Sequence, residues 1–113
     1  MESEVIAMKY LDAFQNQNID ELGAFFSSSV KLRDWEQTAN GIDAVLEANA
    51  KIFSSFEKIH VEILNIVKSV FQVAVEFNLD LISDSERFSL LVVDIIEFDK
   101  DMKISAVRAY KGN

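Results

Sequence analysis

Leu90-Leu91-Val92-Val93-Asp94-Ile95-Ile96, set within the longer run from Arg87 to Phe98, is the stretch on which the reading of this chain turns. Both parities of the run are apolar, the pattern of a strand covered on both faces and so placed centrally in a sheet. Asp94 breaks that pattern. An ionised carboxylate there is costly unless it is paired, hydrogen-bonded or protonated. Asp94 is therefore a hydrogen-bonded core acid, a side chain turned outward, or a pocket acid kept neutral so that it can donate a hydrogen bond.

Around that run, from Lys58 onward, side-chain character alternates with a period of two. Phe71, Val73, Val75, Phe77, Leu79 and Leu81 share one face, and Gln72, Glu76, Asn78 and Asp80 the other. Polar turn signals near Ser69, at Ser83-Asp84-Ser85-Glu86 and at Asp99-Lys100-Asp101 divide the region into four long strands, the last running from Met102 to Tyr110. Upstream the period is helical. Val5, Ile6, Met8, Tyr10, Leu11, Ala13 and Phe14 form one broad apolar face, and Asp20 to Phe26 a second, short helix with acids in its first turn. Ser27-Ser28-Ser29 punctuates the pattern, and Val30, Leu32 and Asp34 then alternate as a short strand should. After a turn at Asn40-Gly41, a third helix over Ile42 to Phe53 is expected to bury Ile42, Val45, Leu46, Ala50 and Phe53.

The length of 113 residues suits one domain over 1–113, and the composition, half apolar and about a quarter charged, is that of a globular chain. A net charge of -8 without a local Lys/Arg cluster disfavours nucleic acid and anionic membranes as partners. No apolar run approaches the roughly 20 residues needed to cross a bilayer, and the acidic start lacks a secretory pattern, so a cytoplasmic protein is expected. The chain has no cysteine and one histidine, His60, which leaves no disulfide framework, thiol nucleophile or His-based metal cluster; no metal or cofactor is expected. His60 shares a strand face with Glu62 and reads as solvated. The acids Asp80, Asp84, Glu86, Asp99 and Asp101 read as hairpin surface, since they lack calcium-loop spacing.

Helix, helix, strand, helix and a strand meander is an α+β order, in which a curved antiparallel sheet wraps around three N-terminal helices and leaves an enclosed pocket. The sequence resembles the NTF2-like superfamily, which forms such a cone, and within it the SnoaL-like and ketosteroid isomerase-like branches. The resemblance rests on Tyr10-Leu11-Asp12-Ala13-Phe14, Asn18-Ile19-Asp20-Glu21-Leu22, Val30-Lys31-Leu32-Arg33-Asp34, Gly41-Ile42-Asp43-Ala44-Val45, and Asp94 to Gly112 with Lys103-Ile104 and Arg108-Ala109-Tyr110-Lys111-Gly112. It implies roles for three residues: Tyr10 as donor to a substrate oxygen, Asp34 as base, and Asp94 as a protonated acid beside Tyr10.

The residue types make chemical sense together. Moving a proton next to a carbonyl needs a base to take it and donors to hold the enolate oxygen. The implied function is proton transfer of isomerase or cyclase type on a small hydrophobic molecule. The alternatives are a non-catalytic small-molecule-binding or association domain, and polyketide cyclisation on the same fold. Trp35, Ile95 and Asn49 depart from the isomerase pattern, standing where proline, histidine and tyrosine are usual. A bulge near Trp35 would turn Asp34 outward and bring Arg33 or Trp35 in. Arg108 and Tyr110 are assigned either to the cavity or to a subunit contact. The two-faced strand Arg87 to Phe98 offers more apolar sheet than three helices can cover, so a homodimer through the outer face is expected.

Overall fold

The computed structural model describes residues 2–112. Three helices, α1 (Ser3–Gln15), α2 (Ile19–Ala24) and α3 (Ile42–Ser55), accompany six strands: β1 (Phe26–Arg33), β2 (Thr38–Asn40), β3 (Lys58–Lys68), β4 (Gln72–Ser83), β5 (Glu86–Phe98) and β6 (Ile104–Gly112). The strands form one sheet in the order β2-β1-β6-β5-β4-β3, so the two-faced apolar strand lies inside the sheet, as its sequence requires. The sheet is mixed. Every pairing is antiparallel except β1 with β6, which run parallel because the chain returns to β1 from the far side of the meander.

Alternation along β4 and β5 separates the faces. Val73, Val75, Phe77 and Leu79 from β4 and Val92, Asp94, Ile96 and Phe98 from β5 are buried on the inner face, against which α1 packs. Three of the helix ends show a local cause. Asn18 Oδ1 accepts from Glu21 N at 3.1 Å and caps α2, while Gly41 enters α3 with φ of 89°, a left-handed backbone that favours glycine. Beyond the end of α1, Gln17 has φ of 54° and its amide donates to Phe53 O and Phe56 O, pinning this turn to the end of α3.

Several boundaries differ from the sequence reading. Phe26 belongs to β1, not α2, and the three serines lie within β1 where its register with β6 slips between Phe26 and Lys31. The slip accommodates small polar residues that a regular ladder would not select. β2 is an additional short strand at the sheet edge, and β6 begins at Ile104, after a turn through Met102 at φ of 60°. α3 buries Val45, Ala48 and Asn49 and leaves Ala50 exposed. Val5 and Met8 on α1 are likewise exposed. No helix of the described residues is long and apolar enough to cross a membrane.

Candidate functional site

Between the inner sheet face and the helices lies a cavity of about 340 Å³. All three residues singled out by the sequence border it. They arrive from separate elements: Tyr10 from the middle of α1, Asp94 from the middle of β5, and Asp34 from the first position after β1. Tyr10 is buried by the helix's sheet-facing side, with its ring 5.8 Å from that of Phe26. Asp94 is only 6% exposed, flanked on neighbouring strands by Val75 and Ala109.

The polar atoms of this pair are distinctive. Among the described residues, no protein group hydrogen-bonds the Tyr10 hydroxyl or the Asp94 carboxyl, whereas Asn49, also on the wall, has its amide nitrogen donating to Val45 O at 2.9 Å within α3. Among the described residues, no buried polar side-chain atom is sealed off without a partner, so the free atoms of Tyr10 and Asp94 face the cavity space. Burial first, and the nearby charge of Asp34 second, push the Asp94 carboxyl up to about 7. Asp94 is thus divided between neutral and ionised forms near neutrality. The Tyr10 phenol is held well above its ordinary value, by burial first and by Asp94 second, and remains a proton donor.

Asp34 is organised differently. Its Oδ1 accepts from Glu36 N at 2.8 Å and Gln37 N at 2.9 Å, its Oδ2 accepts from Gln37 Nε2 at 3.3 Å, and its own N–H donates to Gln37 O. This is a side-chain-closed turn, for which Asp followed by polar residues is the sequence signal. The turn, and not strand parity, aims Asp34 at the cavity. It also places Trp35 on the lining, so neither residue displaces the other; Arg33 stays on the opposite sheet face and donates to the Tyr110 hydroxyl at 2.9 Å. Arg108 pairs with Glu97 on that outer face, so Arg108 and Tyr110 are not cavity residues. Glu36, Gln37, Phe56 and Phe88 line the cavity without having been singled out. Phe88 was legible, for it shares parity with Leu90, Val92 and Asp94; the others depend on loop and helix-end geometry.

A family model of the SnoaL-like domain matches residues 7–107. No curated protein matches at the sequence level. Solved structures do. An LEH-like epoxide hydrolase from M. tuberculosis superposes with a TM-score of 0.86 at 20% identity, covering 97% of this chain and 82% of that one. A candidate SnoaL-like polyketide cyclase from Shewanella denitrificans gives 0.87 at 11% identity, covering 97% and 90%. An NTF2-like protein of unknown function from Cytophaga hutchinsonii gives 0.81 at 8%, covering 99% and 91%. At these identities the likeness is one of fold, and fold leaves the chemistry to the site.

Proposed function

The chain belongs to the SnoaL-like domain family and has the NTF2-like fold, and from that premise we propose that it binds a small hydrophobic molecule and moves a proton next to a carbonyl, in the manner of a ketosteroid isomerase-like enzyme. The observation behind this reading is the pair of buried polar side chains without a protein hydrogen bond among the described residues, Tyr10 and Asp94, bordering a mostly apolar cavity. A carbonyl oxygen placed between them accepts from the phenol and from the protonated carboxyl. Asp34 takes the proton from the adjacent carbon, the negative charge moves onto the oxygen, and the same carboxyl returns the proton to the substrate. The apolar wall keeps water from competing for these hydrogen bonds.

A second reading, a non-catalytic binding domain, is favoured by one observation. Asp34 Oδ1 already accepts two backbone N–H donors, which is what a structural turn needs irrespective of catalysis. Titration with substituted phenols, followed by an enone isomerisation screen, separates the two. Asp34→Asn should remove turnover with ligand binding nearly intact, while Tyr10→Phe and Asp94→Leu should each lower turnover by roughly 10²–10³ and weaken phenol binding. Phenol binding with every activity insensitive to Asp34→Asn leaves only the binding domain; no phenol binding at all defeats the oxygen-holding role of Tyr10 and Asp94.

The same proposal extends to a cytoplasmic homodimer. Leu91, Val93 and Ile95 on the outer face of β5 are exposed or half-buried, and Tyr110 beside them is exposed. An apolar sheet face of this kind suits an isologous contact between two copies. Light scattering at high micromolar concentration should give twice the chain mass; the monomer mass would remove the dimer from the proposal.

A further inference from the structure

A neutral carbonyl compound leaves one property of the cavity unused. Three carboxyl side chains border it, Asp34, Glu36 and Asp94, and no Lys, Arg or His is among its described lining residues. Six aromatic side chains complete the wall: Tyr10, Phe14, Trp35, Phe56, Phe77 and Phe88. Acidic groups and aromatic faces without an opposing base are the combination that holds an organic cation, because ring faces and carboxylates attract the same charge. Trp35 displays this affinity within the molecule, with Lys111 Nζ 5.7 Å from its ring centroid at the exposed end of β6.

We infer that the cavity accepts a hydrophobic ammonium ion, an amine with apolar substituents, whose charge faces Asp94 and Asp34 while its carbon groups lie against the aromatic wall. A volume of about 340 Å³ suits a ligand of that size. Anionic ligands, including carboxylates and phosphate esters, meet three acids and no base among the described lining residues, the Lys111 ammonium being placed over the Trp35 ring at the end of β6. The inference rests on the cavity being a ligand site and does not require the proton transfer proposed above.

The occupancy of this site should follow the ionisation of Asp94. The titratable groups that line the cavity with Asp94 are Tyr10 from α1 and Asp34 and Glu36 from the turn after β1, of which the Asp34 charge acts on Asp94 and Glu36 is exposed; Val75 on β4 and Ala109 on β6 pair with Asp94, and α3 adds Asn49 to the lining, none of which titrates. A bound cation offsets the burial that otherwise favours neutral Asp94, so binding and loss of the carboxyl proton are linked.

The test uses the full chain and the fluorescence of Trp35, its single tryptophan, with calorimetry as a second readout. Three probes of similar shape are titrated: benzyltrimethylammonium, its uncharged carbon isostere neopentylbenzene, and the anion phenylacetate. The ammonium should bind at least about tenfold more tightly than the isostere, and phenylacetate should not bind. Ammonium affinity should fall as pH is lowered from about 8 to about 6, where Asp94 takes up its proton, and Asp94→Asn should flatten that dependence. Equal affinity for ammonium and isostere, or binding of phenylacetate, overturns the charge preference while leaving the hydrophobic site. Failure of all three probes overturns both. The wild-type pH profile decides the matter even if Asp94→Asn does not fold.

Discussion

Asp94 and Asp34 border the same cavity, yet the chain provides for them in opposite ways. Asp94 sits in the middle of an inner strand, among apolar neighbours, with no hydrogen-bond partner for its carboxyl among the described residues. Asp34 sits where β1 ends, and three donors from its own turn surround its carboxylate. Local sequence explains Asp34 without any ligand: remove the cavity, and the turn still wants an aspartate. Nothing local explains Asp94. A carboxyl that the fold neither pairs nor opens to bulk solvent keeps the full cost of burial, and this contrast places the more strongly perturbed of the two acids on the sheet rather than on the loop.

The sharpest way to break the contrast is to measure what Asp94 does to stability. Its folded value of about 7 lies above the ordinary 3.8, so between these values the folded chain holds a proton that the unfolded chain has released. Raising the pH through this window therefore lowers the stability contributed by this position, and above it the loss is complete. Asp94→Asn cannot ionise. Its stability relative to wild type should rise from about pH 4 to about pH 7 and then level off, by a total on the order of a few kcal/mol. Denaturant unfolding of both proteins across this range checks it. Parallel stability curves would mean that Asp94 is solvated or paired, and the contrast with Asp34 would disappear.

A smaller effect is expected on the other side. Asp34→Ala leaves Glu36 N and Gln37 N without their side-chain acceptor but lets them turn to water at a partly exposed site. The loss should be about 1 kcal/mol. Because the Asp34 charge is the second cause of the raised Asp94 value, the same substitution should also move the Asp94 midpoint downward, with burial retaining the larger part. Carbon-detected NMR of the Asp94 carboxyl reads this directly. An unmoved midpoint would show that the two acids do not sense one another.

The strands were legible where their signal did not depend on neighbours. Alternation along Val73, Val75, Phe77 and Leu79 marks the inner face whatever lies across from it, and the double-sided run around Asp94 marks an inner strand. The misreadings fall where tertiary contacts overrule local pattern. Ser27 to Ser29 look like a break, but a register slip against β6 retains them in β1. Ala50 looks like core, yet the phase of α3 against the sheet exposes it and buries Asn49, which bonds its own backbone. β2 is three residues long and exists only because β1 offers an edge. Among the site residues, Asp94 was visible as an interruption and Tyr10 as a polar group on an apolar face. Asp34 was aimed correctly by parity, although its orientation comes from the turn.

The turn itself offers the finest test. Of the three donors to Asp34, Gln37 Nε2 is the most distant at 3.3 Å, and its side chain loses rotamer freedom in reaching the carboxylate. The two backbone donors are shorter and survive any change of the Gln37 side chain. Gln37→Ala should therefore lower stability by less than about 0.5 kcal/mol and leave the Asp94 midpoint in place, since the Asp34 carboxylate stays where the backbone holds it. Unfolding curves and the carboxyl titration would both be compared with wild type. A loss as large as that of Asp34→Ala would mean that the side-chain amide, not the backbone, organises Asp34; the loop would then owe its shape to a contact that a ligand entering the cavity could displace, and the difference in how the fold holds Asp34 and Asp94 would narrow.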